Sequence, residues 1–360
     1  MKQKISRLLL SCLLIVFTAS GAWAIVYGQG GYENYGYNES TAWEINSASV
    51  LSKVRDDVNS GKLNYECYFK LTKDIDLTGS AYQKWSPIGG TQTSIYDNPL
   101  WTTHFQGHFD GNGHTIKINI SEILTNRNKI CNGLFGTILG GSVKNLNVSG
   151  NIEVYLRESE ELYVGGIVAY LVAGKIENCK FDGTVTASTQ TTTAYKTCSG
   201  GIVGYAGWSY HIFSIKNCKV GSQSDTTIKA TVSRGKPYAG GIVGYLDDNN
   251  YEGDTSEVSG NYSRVYLEGG NSGGTYGGRG RGEGIVENNT EVDPKEEPEP
   301  EPDPLEITGT FKGATLNTSY SGSATVTGGT APYKWTKSGV PTGMTCKASG
   351  ATIKLSGKPT

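Results

Sequence analysis

The sequence predicts an all-β chain built mainly as a parallel, right-handed β-helix. Three observations carry this. A short apolar phrase recurs as Gly165-Gly166-Ile167-Val168-Ala169-Tyr170, Gly200-Gly201-Ile202-Val203-Gly204-Tyr205 and Gly240-Gly241-Ile242-Val243-Gly244-Tyr245. The steps are 35 and 40 residues, a period at which each unit buries its apolar face against its neighbours. No helical period separates the copies, so the crossovers that parallel strands require are themselves strands.

Each phrase is β-branched at its centre, bounded by glycine, and too short to stand as a helix. Paired glycines weaken a strand unless the backbone turns sharply or is closely approached. Gly133-Leu134-Phe135-Gly136 is a weaker fourth copy. A second phrase follows: Val143-Lys144-Asn145-Leu146-Asn147-Val148, Ile176-Glu177-Asn178-Cys179-Lys180-Phe181, Ile215-Lys216-Asn217-Cys218-Lys219-Val220. Read as continuous strands, these set Cys179, Phe181, Cys218 and Val220 inside and Lys180 and Lys219 in solvent. The variable excess falls in loops at 186–197 and 221–237. Strand twist and crossover handedness imply a right-handed coil. Ile167, Ile202 and Ile242 should form one internal ladder and Tyr170, Tyr205 and Tyr245 another at the corner.

Composition agrees. Of 360 residues, 50 are Gly and 22 Tyr, and only 18% are charged, as in a turn-rich β protein. A formal charge of -2 leaves no broad footprint for nucleic acid. Seven cysteines are too few for a disulfide scaffold at this length. Cys179 and Cys218 would stack on adjacent coils with their side chains parallel, which suits buried thiols better than a disulfide.

From the N-terminus, residues 1–24 read as an export signal: Lys2, Lys4 and Arg7, an apolar run over 8–17, then Ala22-Trp23-Ala24. The run is too short to span a bilayer, so no membrane span is expected in the mature chain. Residues 25–62 form an N-terminal segment with Tyr27, Tyr32, Tyr35 and Tyr37, followed by a helix over 48–60. Ser47 caps it, Gly61 ends it, Val50, Leu51, Val54 and Val58 share a face, and Lys53, Arg55 and Asp57 face water. The helix is expected to cap the β-helix, which occupies 63–290. A strand from Phe69 through Leu71 and Lys73 to Ile75 and Leu77 needs a bulge. Asp110-Gly111 and Asn112-Gly113 mark a turn.

The phrases "LTKDIDL", "WSPIG", "FQGHFDGNGHTI", "GLFG", "VKNLNVSG" and "GGIVGY", in this order over about 42–290, resemble GLUG-motif repeat proteins. The resemblance implies an exported bacterial surface protein whose repeats serve as a scaffold; some relatives have adhesin-like or peptidase architectures. After Tyr245 the pattern departs, with no further double-glycine phrase before the Gly-rich tract at 269–284. That tract reads as a flexible loop, since it lacks the Asp of calcium-binding glycine repeats.

Residues 291–304 hold seven acids, one Lys and alternating Pro, and read as an extended acidic spacer. Residues 305–360 alternate as strands at Leu305-Ile307, Ala324-Val326, Tyr333-Trp335 and Ile353-Leu355. "GGTAPYKW", "VPTGMT" and "LSGKPT" resemble a bacterial Ig-like module, expected as a partial β-sandwich in a truncated reading frame with an exposed edge.

For chemistry, His104, His108 and His114 with Asp110 are the one metal-like cluster, but they straddle a turn, so no metal ligands are assigned. Cleavage of polysaccharides needs paired carboxylates across a groove, or a calcium held by carboxylates. The candidates Asp74 with Asp76, and Asp247 with Asp248, read as a strand end and a turn. No catalytic residue and no cofactor site is assigned. The expected function is adhesion or display without catalysis, toward a glycan or a host surface protein. The alternatives are a carbohydrate-active β-helix enzyme, lyase or hydrolase, and a purely structural stalk.

Overall fold

The computed structural model describes residues 36–63, 66–90, 103–125, 130–157, 161–190, 196–208, 211–222, 225–233, 235–247, 255–280, 285–294, 306–309, 311, 313–328, 333–336 and 338–360. The expected signal at 1–24, Tyr27, Tyr32, Tyr35, Leu305 and most of the acidic spacer lie outside these. The chain divides into two compact units, 1–296 and 297–360.

The larger unit is all-β apart from short helices. Its described residues form three sheets in which every strand pair is parallel. The chain visits the sheets in rotation. Glu161–Gly165 lies in the third sheet, Val168–Glu177 in the first and Lys180–Thr189 in the second. The next repeat follows with Lys196–Gly200, then Val203–Ala206 and Phe213–Lys216, then Lys219–Val220 and Thr227–Val232. Register is in step: Val168 pairs with Val203 and Val203 with Val243, while Gly165, Gly200, Gly240 and Gly273 follow one another. Ile167, Ile202 and Ile242 form the expected ladder. All are at most 1% exposed, and the amides of Ile167 and Ile202 donate to the carbonyls of Ile202 and Ile242 at 3.2 and 3.1 Å. Leu134 fills the same slot one repeat earlier, since the Phe135 amide donates to the Ile167 carbonyl.

The second phrase is a corner, not a straight strand. Asn145, Asn178 and Asn217 all have φ of 52–54°, as do Asn112 and Asn288 within a few degrees; Gly260 holds the position in the remaining repeat. This left-handed conformation suits Asn and Gly and is disfavoured for other residues. It reverses the side-chain alternation, so Ile176 and Cys179 are both buried. Phe181, Cys218 and Val220 are inside as expected, Lys219 is exposed, and Lys180 is half-buried. Cys179 and Cys218 are free buried thiols whose sulfurs each lie 3.3 Å from the carbonyl two residues back. Asn178→Ala should cost about 1–2 kcal/mol and Asn178→Gly much less; urea titration of both variants checks this.

The same logic corrects the expected bulge. Tyr68–Leu71 belongs to the first sheet and Ile75–Leu77 to the second, so residues 72–74 turn a corner. The loops are shorter than expected. Lys180–Thr189 runs through the start of the first, and Thr227–Val232 lies within the second. The Gly-rich tract is not a loop up to residue 280. Asn271–Gly273 and Tyr276–Arg279 continue the third and first sheets, and Gly273-Gly274-Thr275-Tyr276 stands in register with Gly240-Gly241-Ile242-Val243. Thr290–Val292 is the last strand of the second sheet, so Glu291 belongs to this unit and not to a spacer; its Oε1 accepts from the Thr275 amide at 2.6 Å.

Ala48–Asn59 is the expected helix. Ser47 Oγ accepts from the Val50 amide, and Gly61 takes φ +74° just past the C-terminus. Leu51, Val54 and Val58 are buried, Val50 only partly. The three residues expected in solvent are half-buried and engaged: Arg55 stacks 4.5 Å from the Trp85 ring, and Asp57 pairs with Lys53 and Lys62. Trp43–Ile45 precedes the helix yet pairs with Phe69, Lys70 and Leu71, so the first sheet begins before residue 63.

The smaller unit is a four-stranded antiparallel sheet in the order Glu306–Thr308, Tyr320–Thr327, Thr352–Gly357, Met344–Ser349. Tyr333-Trp335 is not a strand. Their side chains are committed instead, the Tyr333 hydroxyl donating to the Gly328 carbonyl and Trp335 Nε1 to the Gly350 carbonyl. Met344–Ser349, which the alternation missed, supplies the fourth strand.

Candidate functional site

A second apolar cluster lies apart from the main core. It forms outside the double-glycine turn, where outward-facing side chains of the third and first sheets meet. Tyr163, Cys198 and Tyr238 come from successive strands of the third sheet, and Tyr170, Tyr205 and Tyr245 from the first. The alternation within each strand decides this: Leu162 and Val164 point into the core while Tyr163 between them points out.

The rings form an ordered stack. Tyr163 lies parallel to Tyr205 at 4.5 Å between centroids, and Tyr205 parallel to Tyr245 at 5.3 Å. Tyr170 meets Tyr163 and Tyr205 edge-on, and Tyr238 meets Tyr245 at 4.7 Å. Such geometries add to the gain from burial alone. The Lys196 ammonium sits 4.2 Å from the Tyr245 ring centroid and 5.2 Å from that of Tyr205. The Tyr163 hydroxyl donates to Glu161, and the Tyr205 hydroxyl donates to Asp247 Oδ2 at 2.7 Å.

Exposure rises along the cluster from Tyr170 at one end to Tyr245 at the other. Tyr170 is 2% exposed, Tyr238 is 9% and Tyr245 is half-buried. The next repeat places Gly278 opposite Tyr245, and a Cβ there would lie 2.3 Å from the Tyr238 ring. The ring stack therefore ends on a glycine shelf. Burial pushes the hydroxyls of Tyr163, Tyr170 and Tyr205 far up, and that of Tyr245 up to about 12, so all four stay neutral donors. Burial likewise raises the Cys198 thiol, which removes it as a nucleophile.

The sequence reading anticipated the Tyr170, Tyr205 and Tyr245 ladder but not its partners. The signal was available: Tyr163, Cys198 and Tyr238 each stand seven residues before a ladder tyrosine.

The histidines do not converge. His104 is buried, and its Nδ1 has no hydrogen-bond partner among the described residues. His114 Nδ1 lies 3.0 Å from Asp74 Oδ1, which also accepts from the Thr115 amide. His108 lies between Ser142 and Glu66, at 2.7 Å from Nδ1 and 2.8 Å from Nε2. Asp110 accepts from the Asn112 amide and from Asn145 Nδ2, bracing the corner. Among the described residues no group of three His, Cys, Asp or Glu is placed to hold a metal. Asp74 and Asp76 are local braces, the latter accepting from the Thr78 amide and hydroxyl. Asp247 is held by Tyr205, and Asp248 lies outside the described residues.

Residues 161–186 match the GLUG motif. That match begins at the third-sheet strand bearing Tyr163, passes the double-glycine turn and the Asn178 corner, and ends in the second sheet. It thus covers both turns of one repeat, and the register extends the same plan to the repeats on either side. The motif occurs in some surface or extracellular bacterial proteins. No curated protein and no solved structure matches the chain. Among the described residues no helix is long and apolar enough to cross a membrane.

Proposed function

We propose that this chain is an exported bacterial surface scaffold of the adhesin type. Its larger unit is a right-handed parallel β-helix with the Ala48–Asn59 helix as its N-terminal cap. An acidic spacer joins it to an Ig-like module. The column displays its outer faces and loops, and binding, without turnover, centres on the more exposed Tyr245 end of the tyrosine groove.

The observation that carries this reading is the groove itself. A repeat column stabilised only by its core has no need of five packed outward tyrosine rings with a lysine over two of them. Tyr245 offers a half-buried ring beside Tyr238, Lys196 a cation, and Asp247 and the tyrosine hydroxyls hydrogen-bonding groups. Aromatic platforms flanked by a few polar groups suit polar ligands with apolar faces, as sugars have. The in-register repeat and the GLUG motif support the scaffold role.

The test is an array of glycans and host matrix proteins probed with the full chain and with the Tyr238→Ala/Tyr245→Ala variant. The expected result is binding to a glycan subset that the double variant loses by about tenfold, since each of the two aromatic contacts removed contributes about 0.5–1.5 kcal/mol. Binding that the variant retains, or no bound ligand, would overturn the reading. Release of reducing ends or unsaturated products from bound polysaccharides would favour a carbohydrate-active enzyme instead.

A further inference from the structure

On the outer face of the first sheet, three neighbouring strands place Tyr68, His108 and Ser142 side by side. The residues one step further along the same face are Lys70, Asp110 and Lys144. The Glu39–Thr41 turn lies over them, tied down by Glu39 to Lys144 at 2.5 Å. Between turn and sheet is a cleft of about 130 Å³, lined by Glu39, Tyr68, Lys70, His108, Ser142 and Lys144 among others. Ser142 Oγ is 2.7 Å from His108 Nδ1, and His108 Nε2 is 2.8 Å from Glu66 Oε1. The Tyr68 hydroxyl donates to the same Glu66 oxygen at 3.0 Å, and its ring lies 4.5 Å from the imidazole.

The carboxylate settles which nitrogen carries the proton. Hydrogen bonds from His108 and Tyr68 hold the Glu66 carboxyl below the usual carboxylate range, so it is an acceptor. A neutral His108 therefore has its proton on Nε2, facing Glu66. Its Nδ1 is then an acceptor, and Ser142 Oγ must donate to it. Nucleophile, base and orienting carboxylate stand in the order that activates a hydroxyl.

We propose that Ser142, His108 and Glu66 form a hydrolytic centre for small acyl esters, acetyl esters above all. Ser142 Oγ bonds to the acyl carbon while its proton passes to His108 Nδ1. The bond from acyl carbon to alcohol oxygen breaks, and the alcohol leaves with that proton. Water then bonds to the acyl carbon and gives a proton to Nδ1. The bond to Ser142 breaks, Oγ recovers the proton, and the carboxylic acid is released. Lys70 lines the cleft as the donor for the developing oxyanion, while Lys144 is held by Glu39 and lies 4.0 Å from Asp110. Glu66 is the positioning residue. The cleft's small volume sets the acyl size. This activity goes beyond the scaffold function, shares no residue with the tyrosine groove, and departs from the expectation of a chain without catalysis.

The experiment uses the full chain with p-nitrophenyl acetate, butyrate and decanoate, and a fluorophosphonate probe read by peptide mass spectrometry. The expected result is turnover of the acetate ahead of the longer esters and a phosphonyl group on Ser142. Ser142→Ala and His108→Gln should each lose about 100-fold or more, the usual scale for an activated nucleophile and its base. Both must keep the wild-type melting temperature within a few degrees. Glu66→Gln should lower kcat with little change in KM, and Glu66→Asp should recover part of the loss, as a residue that orients the imidazole requires. Turnover unchanged in Ser142→Ala, or neither turnover nor a label on Ser142, would overturn the proposal.

Discussion

Ile202→Asp should unfold several neighbouring repeats at neutral pH. Ile202 is fully buried, between Ile167 and Ile242 in the internal ladder, and its carbonyl accepts from the amides of Ile167 and Val168. An aspartate there has no cation within the ladder to face, since the slot is filled by Leu134, Ile167, Ile242 and Thr275 in the other repeats. A buried unpaired carboxylate costs several kcal/mol even after its pKa rises, and the lost aliphatic packing adds about 2–5 kcal/mol. That sum is comparable to the whole stability of an ordinary domain. In a column where each repeat holds only its neighbours, the damage spreads along the stack. Hydrogen exchange should show lost protection across 161–246, whereas Ile202→Val should cost only about 0.5–1.5 kcal/mol. A melting curve of Ile202→Asp close to the wild type would show that this side chain does not lie inside.

The reach of the sequence is visible in which residues it placed. The isoleucine ladder, the buried cysteines and the capped helix follow from local rules: β-branched runs between glycines, apolar positions at fixed period, Ser before a helix and Gly after it. What escaped depended on neighbours distant in sequence. The Asn178 corner looks like one more strand residue until the φ values of Asn112, Asn145 and Asn217 are seen to agree. The tract from Gly269 looks like a flexible loop because it is mostly glycine. It is ordered through residue 280 because its backbone is paired to Tyr238–Gly240 and Val243–Leu246, and because the tyrosine rings above leave no space for side chains. The groove and the His108 cleft were harder still. Each is assembled from single residues on three or more strands, so Ser142 and Glu66 carry no signal near His108 in the chain.

Gly201→Val should be nearly as damaging as the charge, for a reason of space alone. Gly201 is not in the left-handed region, so its φ does not by itself demand glycine. Yet a Cβ at that position would fall 2.3 Å from the Gly241 carbonyl oxygen and 2.5 Å from Val220 Cγ1. The equivalent Gly166 would meet the Gly201 oxygen at 2.2 Å, and Gly241 the Gly274 oxygen at 2.2 Å. The preceding glycines are as confined: at Gly165, Gly200 and Gly240 a Cβ would lie 1.8–1.9 Å from the carbonyl oxygen three residues on. Both glycines of every phrase are thus required by close backbone approach, and the obstacle is a carbonyl held in the stack, not a side-chain tip that could swing away. Relief needs the repeats to separate at the turn, which breaks the Gly201 amide's bonds to the 240 and 241 carbonyls. We expect a loss of at least about 3 kcal/mol, the upper end for overpacked cores. Gly113→Ala is the control. Its φ of +79° imposes a conformational cost of about 1 kcal/mol, but nothing lies within 4 Å of the added carbon. If urea titration gave the two variants equal stability, the glycines of the repeat would be there for backbone conformation and not for the closeness of adjacent turns.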